Sequence, residues 1–233
     1  MLLDVEGTTT PARFVYGTLY RYALRHLRPF LVRHAEDEGV RADLARLREE
    51  HDGDRAADED PPAWREDEPL ESAALYAEWL TQRDRKATGW KALQGRVWED
   101  GYRFGTLQGA VYDDVPRALE RWRGQGKAIA IFSSGSVLAQ RLLFAHSTLG
   151  DLTPHLSGYY DTTSGHKREP ESYSRIARDL GCEPAQVLFL SDVAAELDAA
   201  LGAGLETALC VREDGQAELS PHPVVRSFDE VSP

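Results

Sequence analysis

From Val115 onward the chain alternates between segments with helical periodicity and short apolar runs, and that alternation restricts the fold more than any other feature. VPRALERWRGQG places Val115, Leu119 and Trp122 at helical spacing and stops at Gly124 and Gly126, after which KAIAIFSS reads as a buried strand. SVLAQRLLFAHS, EPESYSRIARDLG and VAAELDAALGAG read as further helices, with SGYYDTT, QVLFLSD and ETALCVR as strands. Strands joined by helices in this way form a mostly parallel sheet flanked by helices, with ligands at the carboxyl ends of the strands. The first strand is then LLDV, which leaves Asp4 at its carboxyl end and makes the strand unusually short.

Between Pro11 and Tyr112 no strand-like alternation occurs. VYGTLYRYALRHLRPFLVRH carries Val15, Leu19, Ala23, Leu27, Phe30 and Leu31 on one helical face, and LESAALYAEWLTQRD and TGWKALQGRVWEDGYRFG are also amphipathic. The acidic stretch HDGDRAADEDPPAW, closed by Pro61 and Pro62, is expected to be a loop or a poorly ordered linker. The expected organisation is an α/β core of residues 1–12 and 113–233, with residues 13–112 inserted after the first strand as a helical cap domain.

The chemistry-bearing residues fall at strand ends. In DVEGTTT, strand period places Asp4 and Glu6 on one face, Gly7 permits a sharp turn, and Thr8 and Thr9 offer donors to phosphate oxygens. An aspartate so placed can attack phosphorus if a divalent cation offsets the repulsion between anions. Ser133 and Ser134 follow the next strand and could hold a phosphate, with Gly135 easing entry into the helix. Lys167 lies in a strand-to-helix loop of a chain that uses arginine almost everywhere else, and Asp192 follows a buried strand with Glu196 one helical turn on, an oxygen-ligand pattern for a hard cation. Each motif alone has a plainer explanation: a solvated turn, a serine helix cap, a loop lysine, an aspartate cap.

A formal charge of -12 argues against nucleic acid as a partner, and a phosphate-handling site here must reverse the sign locally. The 2 cysteines, Cys182 and Cys210, have neither disulfide-framework nor zinc-site spacing. With no apolar run of membrane-spanning length, a cytoplasmic, monomeric protein is expected. His166, beside Lys167, is the histidine worth testing, while Trp79, Trp90, Trp98 and Tyr102 are expected to pack within the helical insertion.

An Asp-x-Glu-Gly-Thr strand end, a serine loop, a lysine loop and a late aspartate, in that order, resemble the haloacid dehalogenase superfamily of phosphohydrolases. DVEGTTTP, YDDVPRALERW, SSGSVLAQRLLFAHS, GDLTP, GYYDTTSGHKRE, SYSRIA and FLSDVAAELDAA resemble the enolase-phosphatases of methionine salvage, over nearly the whole chain. The resemblance implies a HAD-like Rossmannoid core with a helical cap, and Mg2+ as the cofactor. It implies Asp4 as nucleophile and metal ligand, and Glu6 as a backbone-carbonyl ligand and acid-base group. It further implies Asp192 as a metal ligand, and Thr8, Ser133, Ser134 and Lys167 as phosphate-binding groups. The implied reaction converts 2,3-diketo-5-methylthiopentyl-1-phosphate to an acireductone and phosphate. Another small phosphate ester such as a sugar phosphate, or a non-catalytic binding role on the same fold, remain the alternatives.

Overall fold

The structure, a computed structural model, describes residues 1–85, 87–212 and 220–232. Lys86 of the expected cap and residues 213–219 and 233 of the expected core lie outside the described residues. The chain opens with β1 (Leu2–Leu3) and the short α1 (Ala12–Phe14), then passes through a π-helical turn at Val15–Leu19. Next come α2 (Tyr20–His34), α3 (Glu38–Ala56), α4 (Pro69–Gln82) and α5 (Thr88–Arg103). It continues with α6 (Val115–Gly124), β2 (Ala130–Phe132), α7 (Val137–Ala145), β3 (Gly158–Tyr160) and α8 (Pro170–Asp179). The last elements are β4 (Leu188–Ser191), α9 (Ala194–Gly202), β5 (Glu206–Cys210) and β6 (Val224–Val225). Two compact units result, one of Met1–Val15 with Gln108–Pro233 and one of Tyr16–Leu107.

In the first unit the described strands form one parallel sheet in the order β3-β2-β1-β4-β5-β6. The chain reverses its direction of winding at β1, between β2 and β4, where open α/β sheets form their ligand crevice. β1 is as short as the sequence implies, yet it is paired on both sides, and Asp4 N–H donating to the Leu190 carbonyl at 3.0 Å extends the pairing by one residue. Leu2 and Leu3 are fully buried, a burial worth about 2 kcal/mol per side chain.

Leu2 shares a buried cluster with Ala130, Phe132, Phe189, Tyr173 and Ile176 of α8, and Leu197 of α9. In this parallel register Leu2 is level with Ala130 and Phe189. Because strand period is two, Asp4 and Ser191 continue the Leu2 and Phe189 positions and leave the sheet on the side covered by α8 and α9. That side supplies their partners.

The second unit is helical. The expected stripe of α2 and its lead-in is buried throughout, and Trp79, Trp90, Trp98 and Tyr102 are buried as well. The acidic stretch departs from expectation: α3 runs through its first six residues, up to Ala56. Two of its polar side chains, those of His51 and Asp54, are held by neighbours. His51, buried, meets the Pro62 carbonyl through Nε2 at 2.8 Å, and Asp54 accepts from Tyr76 Oη and from Arg85, both at 2.6 Å. Beyond it, Asp58 and Asp60 take left-handed backbone angles that end the helix. Among the described residues, no helix is long and apolar enough to cross a membrane.

Candidate active site

Four loops at the carboxyl ends of β1, β2, β3 and β4 carry the site, all within the α/β unit. Beyond Asp4 the backbone coils at once, the amides of Thr8, Thr9 and Thr10 donating to the Val5 carbonyl at 3.3, 3.1 and 2.9 Å. Gly7 makes this possible with φ of 69°, and a Cβ placed on it would lie 2.0 Å from Asp192 Oδ2. The Asp4 turn and the Asp192 loop therefore touch at a point that only glycine leaves open.

Asp4 is buried, and its carboxylate accepts from Lys167 Nζ at 2.5 Å, while the Ser191 hydroxyl stands 3.4 Å from its other oxygen. Lys167 also reaches Glu196 Oε2 at 2.5 Å, and Ser191 donates to the same Glu196 oxygen at 3.0 Å. The lysine is fixed from behind, because the buried Tyr173 hydroxyl donates to the Lys167 carbonyl at 2.6 Å. Burial works against the lysine's charge, but the Asp4 and Glu196 carboxylates outweigh it and hold the ammonium protonated, above its ordinary range. Glu196 was expected beside a cation, and among the described residues the cation beside it is Lys167.

Glu6 takes a different direction from Asp4. The strand period that would have kept both acids on one face ends at Leu3, and the turn brings Glu6 Oε2 to Ser133 Oγ, a donor at 3.3 Å. Burial, and after it the charge of Asp4, raise the Glu6 carboxyl above the usual range. Ser133 is itself buried and accepts from the Gly135 amide at 3.1 Å, and Ser134 follows it in the same loop. Thr8 is fully buried; its carbonyl accepts from Arg212 Nε at 2.8 Å, and its Oγ1 has no hydrogen-bond partner among the described residues.

Asp192 is pushed up to about 7 by burial and then by repulsion from Asp4. Burial and Asp4 also raise Glu196. Four carboxyl groups, those of Asp4, Glu6, Asp192 and Glu196, thus face one ammonium in a site that resists their charge. Among the described residues, no three His, Cys, Asp or Glu side chains stand together as a group that could enclose a metal. Magnesium does not need such a cage, since it binds through one or two carboxylates and keeps positions for water and substrate phosphate. Asp4 and Asp192 fit that requirement, and their mutual repulsion is the state a divalent ion relieves.

A model of the haloacid dehalogenase-like hydrolases matches residues 1–204. A protein of Synechococcus elongatus named Enolase-phosphatase E1 is 49% identical over 232 residues, covering 99% of this chain and 96% of its own. One of the same name from Pseudomonas fluorescens is 46% identical, covering 100% and 96%. The chain belongs to the enolase-phosphatase branch of the haloacid dehalogenase-like hydrolases. Among solved structures, the UTR4 protein of Saccharomyces cerevisiae superposes on this hydrolase with a TM-score of 0.80 at 33% identity, covering 99% and 98% of the two chains. CbbY of Rhodobacter sphaeroides, at 16% identity and a TM-score of 0.57, shares the fold.

The structure joins Asp4 to Lys167 and Glu6 to Ser133 by hydrogen bonds and sets Asp192 against Gly7. Ser191 and Arg212 are residues of this hydrolase's site that sequence reasoning missed. Ser191 could have been found as the residue two before Val193 on the Asp4 side of β4; Arg212 carries no signal beyond standing just past β5. His166 is exposed next to the buried Lys167.

Proposed function

We propose that this enolase-phosphatase hydrolyses 2,3-diketo-5-methylthiopentyl-1-phosphate to an acireductone and phosphate, with Asp4 as nucleophile. The observation that carries the reading is the 2.5 Å approach of the buried Lys167 ammonium to Asp4 amid an excess of carboxyl groups. Buried ion pairs contribute little to stability, so a cluster of this kind points to chemistry rather than to fold maintenance. The α/β unit carries the phosphate chemistry and the helical unit is the inserted cap domain; the enzyme acts as a cytoplasmic monomer.

An Asp4 carboxylate oxygen forms a bond to phosphorus as the ester P–O bond breaks. Lys167 pairs with the Asp4 carboxylate and orients it, and meets the charge on the phosphoryl oxygens. The departing oxygen takes a proton, and the raised affinity of Glu6 for protons fits it to deliver one and then to accept one from the water that cleaves the aspartyl-phosphate. Asp4, Asp192 and the Glu6 carbonyl would hold magnesium, which when bound offsets negative charge on carboxylates and phosphate. Thr8, with its buried hydroxyl lacking a partner, and Ser133 and Ser134 would receive the phosphate oxygens.

Incubating the diketone phosphate with magnesium should release phosphate and generate acireductone absorbance together, both abolished by a chelator. Asp4→Asn should lower phosphate release by at least about a thousandfold while leaving the fold intact, in line with losses on removing a nucleophile elsewhere. Retained turnover would contradict the mechanism. Forming the acireductone requires two steps, enolisation of the diketone by loss of a carbon-bound proton and hydrolysis of the phosphate ester; Glu6→Gln separates them, and normal rates of both would remove Glu6 from them. If a panel of sugar phosphates were hydrolysed faster than the diketone phosphate, the chemistry would stand and the substrate would not.

A further inference from the structure

We propose that Gln140, a buried residue of α7 whose hydrogen bonds among the described residues reach neither the Asp4 turn nor the acids of the site, is the positioning residue that sets the shape of the Ser133–Ser134 loop. Its side-chain amide donates to the Gly135 carbonyl at 2.9 Å and to the Tyr160 carbonyl at 2.8 Å. The Tyr160 carbonyl also receives the Ser133 amide, at 3.1 Å. One amide nitrogen thereby ties the turn after β2 to the end of β3, the strand that leads to Lys167. Both acceptors are carbonyl oxygens, which fixes the amide with its nitrogen toward them. Asp161 adds a second strut, its Oδ2 accepting from the Val137 amide at 3.1 Å.

Gln140 is 3% exposed, and its Oε1 has no hydrogen-bond partner among the described residues. A buried acceptor left unpaired is a cost that an apolar side chain of the same size would avoid. The cost accompanies a specific return: with Gly135 and Tyr160 held, the Ser133 hydroxyl receives the Gly135 amide at 3.1 Å and points at Glu6 at 3.3 Å. Loosening the loop should therefore act on phosphate binding before it acts on folding.

The inference rests on the reading of Ser133 and Ser134 as phosphate ligands, and the test separates the two. Inhibition of diketone-phosphate turnover by inorganic phosphate is measured for the intact enzyme, Gln140→Met, Gln140→Glu and Ser133→Ala, with thermal midpoints alongside. Gln140→Met keeps the volume and removes the donors. Its phosphate inhibition constant and KM should rise about three- to tenfold, the effect of roughly one hydrogen bond, with a near-normal thermal midpoint. Gln140→Glu places carboxylate oxygens against two carbonyls and should show at least the same rise, which decides the matter if the methionine variant does not fold. A merely structural role would lower the thermal midpoint and kcat, through loss of active enzyme, while KM and the inhibition constant stayed put, and that result overturns the proposal. Ser133→Ala with unchanged phosphate inhibition would instead remove the site reading beneath it.

Discussion

Gly7 stands where the Asp4 turn meets the Asp192 loop, and it illustrates how one missing side chain governs the site. Its φ of 69° already disfavours any other residue, and an added methyl would fall 2.0 Å from Asp192 Oδ2, so one of the two loops must move. Gly7→Ala should cost about 1–3 kcal/mol of stability, measured by denaturant unfolding, and should lower kcat/KM more than the stability loss accounts for. An alanine variant with full activity would show that the Asp4 and Asp192 loops do not need this spacing. At this scale the sequence was partly legible. Asp4 and Asp192 announce themselves as acids at the ends of apolar runs, and Lys167 as a rare lysine in a strand-to-helix loop. Gln140 and Arg212 act through contacts between segments apart in the chain, and no local pattern encodes such contacts.

Among the elements, α6 is joined to the C-terminal segment by an acid at its start. Asp114 accepts from the Phe228 amide at 2.6 Å and the Ser227 hydroxyl at 2.9 Å, and pairs with Arg212, the same arginine that holds the Thr8 carbonyl. Burial favours the neutral acid here, but Arg212 and the other donors outweigh it and hold Asp114 below the ordinary carboxylate range. A folded-state pKa below the unfolded value means that this contribution is complete above the unfolded pKa, about 4, and is lost as pH falls through the folded value. Asp114→Asn should destabilise the protein at pH 7 by about 3 kcal/mol, because Arg212 is left buried without its counter-charge. Unfolding measured from pH 7 down to pH 2 should also show a shallower loss in the variant below pH 4, and parallel curves would remove Asp114 from the acid response. The helices of the insertion show where element-level reading succeeds and fails. The stripe of α2 is apolar and was visible, whereas α3 buries Asp43 and His51 along with Val40 and Leu47, so half of its inward stripe is polar and its period is masked. The short β6 offers too little length for any periodic signal.

The whole molecule sets a problem that its site must solve, because a chain of charge -12 attracts a phosphate ester only at close range. Composition made that plain before any fold was assigned, and the order of the strand-end motifs made the α/β core plain as well; the boundary of the helical unit at Tyr16 and Leu107 had no comparable marker. Surface repulsion acts over the Debye length, about 30 Å at 0.01 M salt and about 8 Å at 0.15 M, whereas Lys167, and the magnesium ion of the proposed function, act within the buried site and are screened far less. Added salt should therefore relieve the repulsion and leave the local attraction nearly intact. With the Asp4→Asn variant, which the proposed mechanism expects to bind without turning over, the association rate of the diketone phosphate followed by stopped flow should rise about two- to fivefold between those two salt concentrations at fixed magnesium. A rate that falls with salt would mean that the substrate meets a net positive field on its approach. The electrostatic problem would then be solved by exposed arginines at the surface rather than by one lysine and one cation inside.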